Sequence, residues 1–371
     1  ERQVTMLLRL LSKGKIRSGS FSFITNIVPE NKESSSNYYS EIEGKDIEIF
    51  EYGKNVAKYG EFEQNPEYIK ILRHLSPLKR RRVTSMYSIY GIGNFDIVNT
   101  WQDWCNVYGG IASLIAGSSR LIMFGRTMPP FLKNRLQKRS GRSYREAYKL
   151  LMSSDRVEMV HNSISGMREY SKWLDIPDEE FGVIHNGYEM EKFGSKGRKT
   201  SVKRSELGIS DDDLVVGYVG RFSSDKRPWL FLSMAEFVIN KADQSLKSAE
   251  LENWFKQNEG ETRSEKELKK GEMNNISEIS ERAHFVMVGD GAQFSKASSI
   301  VMSSETLKKR IHLVGYSTEV DKFLEICDCL VLTSKVEGLP NVIIEAQSFG
   351  IPVLTTDAGG ARECILNGET G

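Results

Sequence analysis

The chain has almost no net charge. Its 371 residues carry 51 Lys and Arg against 50 Asp and Glu, a formal balance of +1. A global field of that size selects neither nucleic acid nor a membrane, so any such attraction must come from a local patch. Cysteine is scarce too. Cys105, Cys327, Cys329 and Cys364 form no C-x-x-C pair and no Cys/His cluster of zinc spacing. Buried free thiols in a reducing compartment are the expected state. No charge-then-apolar block follows Glu1 and Arg2, so no signal peptide is expected. No run is long and apolar enough to cross a bilayer. The most apolar stretch, 109–124, is broken by Ser113, Ser118, Ser119 and Arg120. It reads as a buried helix followed by a buried strand, and a cytoplasmic location is the expectation.

What is present is an ordinary soluble composition, 39% hydrophobic and 27% charged, with length enough for two domains. Short β-rich runs alternate with amphipathic helical stretches, the pattern of an α/β fold with parallel sheets. Strands are expected at 21–28, 46–52, 96–100, 120–124, 157–161 and 182–184, and then at 214–219, 284–288, 311–314, 329–332 and 352–355. The polar, aperiodic segment 194–201 reads as a domain linker. The stretch 241–280 is dense in Lys, Glu, Asn and Ser, with little beyond Leu251, Trp254 and Phe255 to bury, and reads as an exposed insertion.

Three features of the second half suit one kind of ligand. The turn from Gly220 to Pro228 (GRFSSDKRP) joins a strand to a helix that Pro228 can open. Its Arg221 and Lys226 offer fixed charge to a diphosphate, although alone they also read as solvated loop charges. The stretch KVEGLPNVIIE then runs from a strand into a helix beginning at Pro340 or Asn341, where main-chain N–H groups and the helix dipole favour an anion. Glu345 lies about one turn inside that helix, and a carboxylate there accepts both hydroxyls of a ribose diol. Glu337 precedes the helix, where it can face a sugar ring. Finally, Gly289-Asp290-Gly291 and Gly315-Tyr316 end two further strands, and such glycines let a flat base or a phosphate come close to the backbone.

These residues resemble the nucleotide-binding domain of the GT-B fold glycosyltransferases of family 4. The landmarks VVGYVGRFSSDKRP, HFVMVGDG, HLVGY, EGLPNVIIEAQSFGIPVLTT and DAGGARECILNGETG cover most of 214–371 in that family's order. VHNSISGM and GVIHNGYEMEKF in the first half match more loosely. The resemblance implies two Rossmann-like parallel-sheet domains facing across a cleft. The acceptor-side domain would span 1–194 with its first strand missing, and the donor-binding domain 202–371 with its end missing. It implies that Arg221 and Lys226 hold the donor diphosphate, that Glu345 binds the ribose and that Glu337 faces the donor sugar. Main-chain amides near Gly338, Leu339, Asn341 and Val342 would meet phosphate or sugar hydroxyls, with Gly289 and Tyr316 at the neighbouring strand ends. It also implies a retaining transfer that needs no metal or other cofactor, consistent with the lack of a DxD-type carboxylate pair at the donor site. The substrates would be a nucleotide sugar and a glycan or lipid-linked acceptor.

In the first half, Asp103 and Arg126 stand at strand ends and are the expected active-site residues of that domain. Arg126 occupies the position where many members of the family carry a histidine. Two basic clusters, 131–151 and Lys79-Arg80-Arg81-Arg82, suit an anionic lipid surface or a solvated helix face equally. The sequence thus predicts a polysaccharide- or glycolipid-building transferase, peripheral to the inner face of the membrane. A sugar-nucleotide epimerase on a related scaffold and a non-catalytic nucleotide-sugar-binding protein are the competing readings.

Overall fold

The computed structural model describes residues 21–25, 47–51, 72–73, 75–130, 137–188, 204–240 and 280–371. The expected linker at 194–201 lies outside these, as does all but the last residue of the expected insertion at 241–280. The chain divides into two compact units, Glu1–Gly187 and Tyr188–Gly371.

In the first unit four parallel strands lie in the order β3-β4-β5-β6: Ile97–Trp101, Arg120–Gly125, Val157–His161 and Phe181–Val183. β1 (Phe21–Thr25) and β2 (Ile47–Glu51) form a separate parallel pair. The apolar stretch after β3 does become a buried helix, Gly110–Ile115, entered through a π-helical turn, Cys105–Gly109. Helices Pro77–Gly93, Gln137–Met152 and Ile164–Leu174 complete the unit. Its core gathers Met86, Ile111, Leu121, Met123, Tyr148, Leu151 and Tyr170.

The second unit is a five-stranded parallel sheet in the order β11-β10-β7-β8-β9. β7 is Leu214–Val219, β8 Ala283–Val288, β9 Ile311–Gly315, β10 Cys329–Leu332 and β11 Val353–Thr355. All six residues of β8 are buried, as a parallel strand covered on both faces requires. Phe285 and Met287 enter one core with Trp229, Phe231 and Leu307. Val286 and Val288 enter the other, with Leu332, Ile343 and Val353. The chain turns to opposite edges after β7 and after β10, so the carboxyl ends of these adjacent strands flank the switch point where open α/β sheets bind ligands.

A histidine pair lies near the amino ends of β8 and β9, away from those strand ends. His284 Nδ1 and His312 Nε2 are 3.0 Å apart, with Asp213 Oδ2 3.5 Å from His284 Nε2. Burial, then the His284 charge and Arg310, hold the His312 pKa down to about 4. Burial and Arg310 also lower that of His284, against Asp213. Both rings fold neutral, and the unfolded chain takes up protons first, near its ordinary value of about 6.5. Stability is therefore full above about pH 6.5 and is lost as pH falls toward 4. His312→Gln should flatten that acid limb in urea titrations run across the range. An unchanged acid limb would show that the pair does not set it.

Among the described residues all four cysteines are free. Only Cys327 is buried; Cys105, Cys329 and Cys364 are half-buried, which corrects the expectation for those three. Burial pushes the Cys105 thiol up to about 11 and those of Cys327 and Cys364 up to about 12, so none is a thiolate at neutral pH.

Candidate active site

Most of the expected site residues come together at the carboxyl ends of β7 to β10. The Gly220–Arg227 turn follows β7, and Pro228 opens the helix Pro228–Asn240. The turn is tied to its neighbours by main-chain bonds. Gly220 N–H donates to Val288 O (3.0 Å), Phe222 N–H to Asp290 O (3.0 Å), and Lys335 N–H to Asp225 O (2.7 Å). The Thr333 hydroxyl, just past β10, donates to the carbonyls of Lys226 and Arg227 at 3.0 and 2.9 Å. Arg227 returns its Nε to Thr333 O at 2.8 Å. Thus the loops after β7 and β10 are one hydrogen-bonded body.

Across that body Lys226 Nζ forms an ion pair with Glu337 Oε1. Their side chains are 21% and 10% exposed, so the pair is well shielded from solvent. Arg221 is 75% exposed and reaches Asp225 at 3.6 Å. Burial raises the Asp225 pKa, but hydrogen bonds from Ser223 and its own backbone, with Lys226 and Arg221, bring the net shift below the usual carboxylate value. Tyr218 donates to Arg221 O at 3.1 Å. Burial first, and then the negative charges of Asp225 and Glu337, hold its phenol protonated.

Glu337 is anchored through its main chain as well, bridging to Gly359 and accepting from Gly360 N–H at 3.4 Å. Gly338 and Leu339 are buried behind it; Asn341 and Val342, half-buried, open the helix Asn341–Ser348 after Pro340. Glu345, on the same helix, is buried. A dipole preference near a helix start does not account for that placement, because burying a carboxylate costs free energy unless partners hold it.

Gly289 and Tyr316 also lie at these strand ends. Gly289 N–H donates to Gly315 O at 2.8 Å, and the Tyr316 side chain is exposed. Packing gives Gly289 a reason of its own. With φ at +139°, its Cβ would fall 1.9 Å from Gly220 O, and a Cβ at Gly291 2.8 Å from Phe222 O. Close packing of the Gly220 turn demands both glycines.

Asp103 and Arg126 belong to the first unit. The Asp103 carboxylate accepts the hydroxyls of Tyr148 (3.1 Å) and Tyr170, tying the loop after β3 to two helices. Arg126 follows β4, its guanidinium 5.1 Å from the centroid of the Trp101 ring. Burial lowers its pKa to about 10. The fully buried His161 at the end of β5 was legible only as one letter of VHNSISGM, with no role. Its Nε2 bonds Thr127 O (3.2 Å), and its Nδ1 accepts Ser163 N–H (3.1 Å). Of the basic stretch 131–151, Arg145 is turned onto Trp173 O at 2.5 Å and Lys149 reaches Asp175 at 3.8 Å.

The fold is that of the GT-B glycosyltransferases. Residues 268–371 match the family model described as glycosyl transferases group 1. It is 27% identical over 353 residues to the Vi polysaccharide biosynthesis protein VipC/TviE of Salmonella typhi, covering 94% of this chain and 53% of that protein. It is 26% identical over 305 residues to the UDP-Gal:alpha-D-GlcNAc-diphosphoundecaprenol alpha-1,3-galactosyltransferase of Escherichia coli, covering 81% of this chain and 67% of that one. The chain thus spans about half to two thirds of the length of these relatives. In fold it is similar to Anabaena Alr3699/HepE, solved with UDP and glucose, at a TM-score of 0.63 and 17% identity over 99% of this chain and 80% of that one.

Proposed function

We propose that the protein moves a sugar from a nucleotide-sugar donor to a glycan or lipid-linked acceptor in building a cell-surface polysaccharide. The transfer retains anomeric configuration and uses no metal. The shielded Lys226–Glu337 pair at the switch point of the donor-side sheet carries this reading. On donor entry Lys226 exchanges the carboxylate for the diphosphate, with Arg221 as the second cation, and Glu337 is left facing the sugar. The anomeric C–O bond to phosphate breaks and its electron pair leaves on the diphosphate, whose growing charge the two cations stabilise. The acceptor oxygen bonds the anomeric carbon from the same face, and its proton passes to the departing phosphate oxygen. The names of the relatives support the class of substrates: a UDP-sugar and a diphosphoundecaprenol-linked sugar in one case, polysaccharide biosynthesis in the other.

The full-length protein should gain thermal stability with one of the UDP-, GDP- or ADP-sugars. It should then consume that donor only when an acceptor is present, at a rate EDTA leaves unchanged. Stabilisation by none of them rejects the reading, and an epimer formed from donor alone replaces it with the isomerase. Glu345→Ala should weaken donor binding by about 2 kcal/mol, through lost hydrogen bonds to the ribose, with less effect on turnover. Unchanged affinity in calorimetry would remove Glu345 from the site.

We also propose peripheral attachment through the basic stretch 131–151. Among the described residues no helix is long and apolar enough to cross a membrane. The full-length protein should co-sediment with anionic but not neutral liposomes, and equal binding to both, or to neither, ends the idea.

A further inference from the structure

In the first unit Arg126 has no counter-ion among the described residues. β3 and β4 pair Trp101 with Phe124, and the two rings stack at 4.7 Å with 12° between their planes. The Arg126 guanidinium lies against the Trp101 ring and is half-buried. Burial lowers its pKa, and among the described residues no carboxylate pairs with it. Asp103, the acid at the neighbouring strand end, is engaged instead by Tyr148 and Tyr170. An aromatic face offsets part of the cost of desolvating a guanidinium, but its five donors are left to a ligand.

The chain on either side of Arg126 is fixed in advance. His161 bonds Thr127 O next to it and Ser163 N–H at the start of the helix Ile164–Leu174. Glycines make room for that imidazole: a Cβ at Gly125 would come within 2.3 Å of it, and one at Gly166 within 1.8 Å. A cation held in place, shielded and unpaired is arranged for an anion, and the guanidinium fork matches two oxygens at once.

We infer that Arg126 is the anion-recognition residue of the first unit and that the acceptor carries an oxyanion, phosphate or carboxylate, beside the hydroxyl that reacts. The word acceptor rests on the transferase reading; the anion site does not.

The test is calorimetric titration of the full-length protein in saturating nucleoside diphosphate, which fills the donor site. The probes are a hexose 1-diphosphate methyl ester, a methyl hexuronide and a neutral methyl hexoside. Wild type should bind one of the two anions at least ten-fold more tightly than the neutral glycoside, and which one identifies the source of the charge. Arg126→Gln should abolish that preference while leaving nucleotide-sugar affinity unchanged, and Arg126→Lys should retain part of it. Equal binding of all three probes, a preference that survives Arg126→Gln, or loss of nucleotide-sugar affinity in that variant each overturns the assignment. Binding needs no transfer, so a wild type that binds the anion and transfers no sugar sinks the transferase reading alone.

Discussion

Lys226→Ala should lower kcat by about 10²–10³-fold, the usual loss when one fixed charge-stabilising donor is removed from a transition state. The lysine has little freedom to be replaced by a neighbour. Its carbonyl is held by Thr333, its ammonium by Glu337, and Arg221, the other cation, lies largely in solvent. The substitution also strands Glu337, whose side chain is only 10% exposed, without its partner, and an unpaired carboxylate at that depth is costly. Glu337→Gln should likewise lower turnover more than donor affinity. Because the two side chains act on each other, the double variant should lose less than the product of the single losses. Steady-state kinetics of the four proteins close the cycle. Strictly multiplicative losses would show that the pair is not a functional unit.

Gly289→Ala should be strongly damaging to the second unit. The new Cβ meets a backbone carbonyl, Gly220 O, at 1.9 Å, at a φ of +139° that L side chains rarely adopt. Strain and overpacking together cost about 3–5 kcal/mol, enough to lower the melting temperature by roughly 10 °C in a unit of this size. The clash falls at the base of the turn that carries Arg221 and Lys226, so nucleotide binding should fall with it. Gly350→Ala is the control. Gly350 also has positive φ, +76°, but nothing lies within 4 Å of its Cβ position, so only the ordinary left-handed cost of about 1–2 kcal/mol applies. Similar melting temperatures for the two variants would show that backbone conformation, not packing on Gly220, dominates.

Much of this was legible in the sequence because strands buried on both faces are continuous apolar runs. HFVMV, CLVL and LVVGYV each became a strand within a residue of its expected bounds. The landmarks of the second unit were local too: a strand, a glycine turn and a helix start follow one another within about ten residues. The Tyr148 and Tyr170 bonds to Asp103 were not legible, since they join residues 45 and 67 positions apart. His161 was hidden for the same reason. Its partner Thr127 and the glycines that admit it come from other turns of the chain.

The sequence by itself determined the α/β class, the strand positions and the residue types suited to a diphosphate and a ribose, because periodicity and turn chemistry act over short spans. It did not determine what each charge faces. Lys226 and Glu337 are 111 positions apart, and only the pairing of β7 with β10 in the sheet makes them an ion pair. The same holds for Arg126. Its lack of a counter-ion among the described residues depends on which side chains the sheet brings to its strand end, and Asp103 there is already taken by two tyrosines.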